Sequence, residues 1–217
     1  MDDHHAVRLR QTIEVLTRDP RCNMLQTERL LLRPWRTGDL APFAALNADP
    51  EVTVTLGGGL TATASEQFAA RLQAAIERNG WGYWALELRA SGEFVGFTGL
   101  AEFLSAAEEG VMVCAEPRVE IGWRLARRFW GQGLVTEAAR AALRFGFETL
   151  ALPEIIAITA AINQRSMAVM TRLGMQRDHS ADFLHRKLNA GDPLRPHVYY
   201  RLGAARWRVL PAVIKEV

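Results

Sequence analysis

Cysteine is scarce in this 217-residue chain: there are two, Cys22 and Cys114, far apart and outside any CxxC pairing. That excludes a disulfide-stapled framework and a thiolate zinc site. Long apolar runs are missing as well, and none approaches the roughly 20 residues that a membrane-spanning helix needs. An excess of one charge is absent: 26 Lys and Arg against 24 Asp and Glu leave a formal net charge of +2. With no dense basic stripe interleaved with aromatics, nucleic acid is not an expected partner. The first residues, Met1-Asp-Asp-His-His5, are acidic and lack an apolar segment behind them. No export signal is read there, and a cytoplasmic, reduced setting is expected. No internal repeat is found.

What remains is an ordinary globular composition, 49% hydrophobic and 23% charged. The length suits one large α/β domain with short appendages. Residues 4–18 carry a moderate helix signal that Pro20 ends, and residues 1–24 are read as an N-terminal helical extension. The main domain is placed at 25–203 and a C-terminal tail at 204–217. Within the domain, Arg29 to Trp35 reads as a first strand, and Thr37-Gly-Asp39 offers capping chemistry to a helix beginning at Leu40. Gly57 to Gly59 is a flexible break. A helix from Thr63 to Arg78 is expected behind a Thr63/Glu66 capping box.

Gly82–Leu88 and Glu93–Phe103, joined by Ala-Ser-Gly, read as a hairpin, and residues 105–116 as a loop. Pro117 to Leu125 alternates, with Val119, Ile121, Trp123 and Leu125 on one face and Glu120, Gly122 and Arg124 on the other. A glycine turn at 131–133 leads into an Ala-rich helix over 134–149. A strand at Glu154–Ala160, a short helix from Ser166 to Leu173 closed by Gly174, and a last strand at His197–Leu202 follow. Residues 176–195 read as polar and irregular. The class is α/β, with a mixed, mostly antiparallel central sheet flanked by helices.

The turn Arg127-Arg-Phe-Trp-Gly-Gln-Gly-Leu-Val-Thr-Glu137 sits between strand and helix. Its glycines let backbone N–H groups approach a ligand, and the helix beyond adds unpaired donors and the positive end of its dipole. Phosphate is the matching chemistry. A Walker loop would need Gly-Lys-Ser/Thr, which is absent, and a dinucleotide fingerprint would need a third glycine where Thr136 stands. Taken alone, the turn reads more readily as a structural connection between strand and helix.

Its company decides the matter. Arg128-x-x-Gly131-x-Gly133 resembles the (Gln/Arg)-x-x-Gly-x-(Gly/Ala) signature by which GNAT acetyltransferases hold the pyrophosphate of acetyl-CoA. Upstream, Val119-Glu-Ile-Gly-Trp-Arg-Leu125 is similar to the strand that precedes that signature. Downstream, Asn163-Gln-Arg-Ser166 closing on Leu173-Gly-Met175 resembles the family's second signature. Thr27-Glu-Arg-Leu-Leu-Leu-Arg-Pro34 and Val198-Tyr-Tyr-Arg-Leu202 are similar to the edges of the branch that holds the ribosomal-protein alanine/serine N-terminal acetyltransferases. The resemblance spans about residues 25–202. It departs at two places: Met170 stands where many relatives carry a tyrosine proposed to protonate the leaving thiolate, and Val135 where Ala or Gly is usual.

The resemblance implies a GNAT-like fold and N-acetyl transfer from acetyl-CoA, as co-substrate, to a primary amine in a ternary complex. The acceptor is a peptide or protein α-amino group or a small-molecule amine. It implies cofactor contacts from Trp123, Leu125, Arg128, Trp130, Gly131, Gln132, Gly133, Val135, Thr136, Asn163 and Ser166. An amine must lose a proton before attack, so a general base is useful. Glu120 is the candidate, although a strand glutamate facing solvent has the same sequence. An oxyanion donor is expected near Gly122 to Arg124, exposed by a bulge.

Ser166 is a candidate donor to the departing sulfur, or a helix-surface serine; Tyr199 and Tyr200 are alternatives, or core packing. Asn163 serves the pantetheine arm, a helix cap, or both. Asp178, His179, Asp182 and His185 have metal-compatible spacing but read as a solvated loop, and no metal is expected. Trp81 and Trp84 read as packing before substrate mouth. The competing function is an acyl-CoA sensor without chemistry. The terminal apolar residues, Trp207 to Ile214 among them, suggest a homodimer.

Overall fold

Leu30, Leu32, Trp84, Leu86, Val95 and Leu100 have their side chains sealed inside the molecule, and the strands that carry them lie side by side. In the computed structural model, which describes residues 24–103 and 118–211, nine strands form one sheet. They are β1 (Leu25–Gln26), β2 (Leu30–Arg33), β3 (Tyr83–Leu88), β4 (Phe94–Phe103), β5 (Arg118–Leu125), β6 (Glu154–Ala160), β7 (Gln176–Arg177), β8 (Phe183–Leu184) and β9 (Pro196–Gly203). The order is β1-β2-β3-β4-β5-β6-β9-β7, with β8 also paired to β9. Every pairing is antiparallel except β5–β6. The expected mixed, mostly antiparallel architecture is the one observed. The expected N-terminal helix over 4–18 and the loop over 105–116 lie outside the described residues.

The parallel pair β5–β6 is in register only at Glu120 and Ile156. Beyond that rung no further ladder pair joins the two strands, so the larger and smaller halves of the sheet are laced together at one point.

Helices α1 (Leu40–Ala48) and α2 (Ala62–Asn79) cover one face, where Phe43 of α1 meets Trp35, Phe94 and Phe97, the rings packing at centroid distances of 4.7–6.3 Å. The opposite face packs on α3 (Leu134–Arg144), with Trp84 edge-on to Phe145 just beyond it. Helix α4 (Gln164–Arg172) follows β6, and α5 (Ala204–Val209) follows β9.

Several local expectations change. Helix α2 begins one residue ahead of Thr63: Thr61 is the cap, its hydroxyl accepting from the Ala64 N–H at 3.2 Å. Ala62 and Ala64 suit a first turn, and this start places Ser65 inside, against Asn47. Asp39 does not spend its carboxylate on the first turn of α1. Burial beside Arg33 recruits it into a bidentate pair at 2.7 and 2.8 Å, while the Arg36 N–H donates to it. The helix expected over 134–149 is α-helical to Arg144 and widens into a π turn over Phe145–Thr149. The stretch 176–195 contains β7 and β8. Trp207 and Leu210, expected at an exposed chain end, are buried instead: Trp207 stacks on Phe147 at 5.2 Å and Leu210 covers Gly174.

Candidate active site

Tyr83, Gly99 and Gly122 occupy one row across three adjacent strands, by the register Tyr83↔Gly99 and Gly99↔Gly122. A Cβ on Gly122 would stand 2.7 Å from the Tyr83 hydroxyl oxygen, so the absence of a side chain there admits the ring. The Tyr83 hydroxyl thereby reaches β5 and donates to Glu120 Oε1 at 2.7 Å. Glu120 stands at the single rung joining β5 to β6. The candidate base therefore lies at the point where the two halves are joined, its carboxylate oriented by a phenol. The sequence reading missed Tyr83. Its signal was available only after pairing β3, β4 and β5 and noticing the two aligned glycines.

The lone rung also leaves backbone outside the ladder. Neighbouring residues of an antiparallel ladder turn their amides to opposite edges. Ala126 N–H donates to the Val95 carbonyl on the β4 side at 2.9 Å. By that alternation Gly122 and Arg124 turn toward β4, whereas Trp123 and Leu125 turn toward β6. The Leu125 carbonyl is met by Trp130 Nε1 at 2.9 Å, and the Trp123 amide lies beyond the β5–β6 rung. The expected bulge is not there: β4 and β5 stay in continuous register from Arg118 to Leu125. The end of β6 pairing at Glu120, rather than an extra residue in β5, leaves this N–H outside the ladder.

At the far end of β5 the chain turns through Arg127–Phe129 and the glycines. Gly131 and Gly133 have φ of 75° and 78°, left-handed values that a side chain disfavours. Gly133 stands immediately before α3, so three successive first-turn donors of that helix, Leu134, Val135 and Thr136, sit at the end of the cradle. Thr136 itself is buried. Arg128 commits its guanidinium to Glu93 at 2.8 Å and covers Phe129. Gln132 Nε2 returns to the Arg128 carbonyl at 2.9 Å.

Glu137, in the first turn of α3, fastens this turn to the start of the sheet. It accepts from Thr27 Oγ1 at 2.5 Å, from the Arg29 N–H at 2.9 Å and from Arg29 Nε at 2.6 Å. Arg29 Nη1 then donates to the Gln132 carbonyl at 2.9 Å. Burial alone would raise the Glu137 pKa, but these hydrogen bonds and the adjacent guanidinium hold it below the ordinary glutamate value. Neither residue was picked out from sequence, because Thr27 and Glu137 are 110 positions apart.

Asn163 caps α4: its Oδ1 accepts from the Ser166 N–H at 3.2 Å, and its Nδ2 donates to Thr159 Oγ1 at 2.9 Å. Ser166 is half-buried one turn into the helix. Arg165 lays its guanidinium over the Trp130 ring at 4.2 Å, linking α4 to the glycine turn. Met170 is 1% exposed and belongs to the core. Tyr199 and Tyr200 are buried, with the Tyr199 hydroxyl accepting from Arg118 at 2.8 Å. Trp81 and Trp84 are buried too. Asp182 pairs with Arg177 at 2.6 Å and accepts from the Tyr199 N–H, while Asp178 turns to Ser180 and Arg201. A depression of about 550 Å³ between α1 and residues 126–128 borders the turn, not the Tyr83–Glu120 pair.

Comparison with known proteins identifies the relatives of this chain. The family model for the acetyltransferase (GNAT) domain matches residues 29–176. An Aspergillus fumigatus protein, FsC-acetyl coenzyme A-N(2)-transacetylase, is 35% identical over 154 residues, which are 70% of this chain and 64% of that protein. The chain thus spans under two thirds of that relative's length. A solved acetyltransferase from Agrobacterium tumefaciens is 27% identical and superposes with a TM-score of 0.64, over 82% of this chain and 93% of that one. Mycobacterium smegmatis RimJ, solved with CoA-disulfide, shares the fold at a TM-score of 0.60 and 24% identity, over 81% of this chain and 82% of its own. The chain belongs to the GNAT family of acetyltransferases, enzymes that draw their acetyl group from acetyl-CoA.

Proposed function

We propose that this protein transfers acetyl from acetyl-CoA to a primary amine, with both substrates bound together and Glu120 acting as general base. The observation that carries the reading is the Tyr83–Glu120 hydrogen bond at the rung joining the two halves of the sheet. The cradle fits the cofactor's phosphates: two left-handed glycines, the first-turn N–H groups of α3 and a flanking arginine, Arg29, supported by Glu137. The proposed cofactor contacts further include Trp123, Leu125, Arg128, Trp130, Gln132 and Val135.

Each residue then has a defined task. Glu120 takes a proton from the ammonium, directly or through water, so that the nitrogen lone pair attacks the thioester carbon. The Trp123 N–H meets the negative charge that develops on the thioester oxygen. As the N–C bond forms and the C–S bond breaks, Ser166 supplies a proton to the sulfur and recovers one, through water, from the nitrogen, which sheds its second proton as the amide forms. Tyr83 holds the Glu120 carboxylate in place. A built base and its orienting phenol favour an enzyme over an acyl-CoA sensor. A peptide or protein α-amino group is the leading acceptor, in keeping with the resemblance to the ribosomal-protein branch, and a small amine is second. A cytoplasmic setting completes the proposal; no helix among the described residues is long and apolar enough to cross a membrane.

The test is thiol release from acetyl-CoA with N-terminal Ala and Ser peptides, polyamines, amino acids and aminoglycosides, each run beside Glu120→Gln. Release that drops about a hundredfold or more in the variant supports the base assignment. Equal rates in the two proteins would remove Glu120 from the mechanism.

A further inference from the structure

A buried and a half-buried arginine of this fold are treated differently. Arg33 is neutralised within the protein by Asp39 and Glu87, each at 2.7 Å. Arg124, on the face of β5 that carries Glu120, meets no carboxylate within ion-pair distance among the described residues. Its Nη1 donates to Asn47 Oδ1 at 2.5 Å. Asn47 is itself 0% exposed and held by Ser65, also 0% exposed, through a 3.2 Å hydrogen bond. The rings of Phe97 and Phe68 lie 5.7 and 5.8 Å from the guanidinium carbon. Asn47 satisfies one of five guanidinium donors. Desolvation lowers the Arg124 pKa to about 10, so the group stays cationic at neutral pH while lacking a counter-charge.

Leaving a half-buried cation uncompensated is costly, and the cost is recovered when a ligand brings the missing anion. We propose that Arg124 recognises the acceptor, pairing with a carboxylate carried by the amine substrate while the amine lies at Glu120. This rests on the acetyltransferase reading above and narrows its substrate class.

The span sets the kind of acceptor. Three strand residues separate the two positions, about 13 Å along β5, with the Tyr83 ring over Gly122 between them and the Phe97 ring, 5.5 Å from it, beside Arg124. The guanidinium is drawn toward α1 and α2 by Asn47 and Phe68, not back along the strand. An α-amino acid, with both groups on one carbon, is too short for this distance. An ω-amino acid or a short peptide with a distal carboxylate spans it, the shared chemistry being a carboxylate several bonds from the amine.

The experiment compares matched acceptors in the thiol-release assay: aminohexanoate against aminohexanamide, and one Ala-initiated tripeptide as free acid against its C-terminal amide. Wild-type protein is expected to favour the carboxylate by roughly tenfold or more in kcat/KM, expressed mainly in KM. In Arg124→Met that ratio falls close to one, and in Arg124→Lys it is intermediate. A preference confined to aminohexanoate points to a small metabolite, one confined to the tripeptide to a polypeptide, and both support the proposal. Equal rates for acid and amide in wild type overturn it, whatever the variants do. Weakened coenzyme A binding by Arg124→Met in calorimetry also overturns it, assigning the cation to the cofactor's phosphates. No release from any amine, with acetyl-CoA still bound, removes the transferase reading and this proposal with it.

Discussion

The Tyr83 hydroxyl donates to Glu120 Oε1 at 2.7 Å, over Gly122, whose lack of a side chain leaves space for the ring. Tyr83→Phe keeps the ring and deletes the donor, so its fold and its coenzyme A affinity should match wild type. Its kcat is expected to fall roughly tenfold, less than the loss in Glu120→Gln, because the base remains but is no longer held. Gly122→Ala pushes the ring away instead and should lower kcat at least as far, with about 1–3 kcal/mol of stability lost to overpacking. Steady-state kinetics and thermal melts of the three variants check this ordering.

The Arg29–Glu137 clasp should govern cofactor affinity. Glu137→Gln retains the shape but loses the charge, and a coenzyme A dissociation constant raised about tenfold is expected in calorimetry. The pH dependence has a defined sign. The folded-state pKa of Glu137 is depressed, so its stabilisation is complete above the ordinary glutamate value of 4.5 and is lost as pH falls through the lower folded value. Wild-type protein should lose stability on acidification in that window, and Glu137→Gln should lose less.

Asn163 separates into two roles by substitution. Ser is also a good N-cap, so Asn163→Ser should preserve the start of α4 within a few tenths of a kcal/mol, whereas Asn163→Ala costs about 1 kcal/mol. If the amide also serves the pantetheine arm, both variants raise the KM for acetyl-CoA equally. A raised KM in the Ala variant alone would show that Asn163 acts only through the cap.

Trp207 is 3% exposed and stacked on Phe147. Trp207→Ala should cost about 3–5 kcal/mol of stability, the usual range for a buried Trp. A denaturation curve that barely moves would mean that α5 contributes little to the fold.

The strands were legible where alternation or β-branched runs marked them, as at Arg118–Leu125 and Glu154–Ala160. So was the glycine turn, because left-handed backbone leaves a residue-level signature. Residues whose partners are remote were not. Glu137 reads as an ordinary first-turn glutamate until Thr27 and Arg29 are placed beside it. Asp39 looks like a helix cap until Arg33 is found buried next to it. Thr61 and Thr63 are equivalent caps by composition, and a tertiary contact between Ser65 and Asn47 accompanies the earlier start. Glu120 was legible as a candidate, but its phenolic neighbour required three strands in register.

The lone rung between Glu120 and Ile156 has a mechanical consequence. A sheet divided there behaves as two plates sharing one pin, and the angle between them is set by whatever fills the wedge. A ligand that lends its own polar groups to the Trp123 edge would act as a surrogate strand and stiffen the assembly. Amide hydrogen exchange along β5 and β6 should therefore slow together when coenzyme A is added, while the β2–β3–β4 plate, already laced on both sides, changes little.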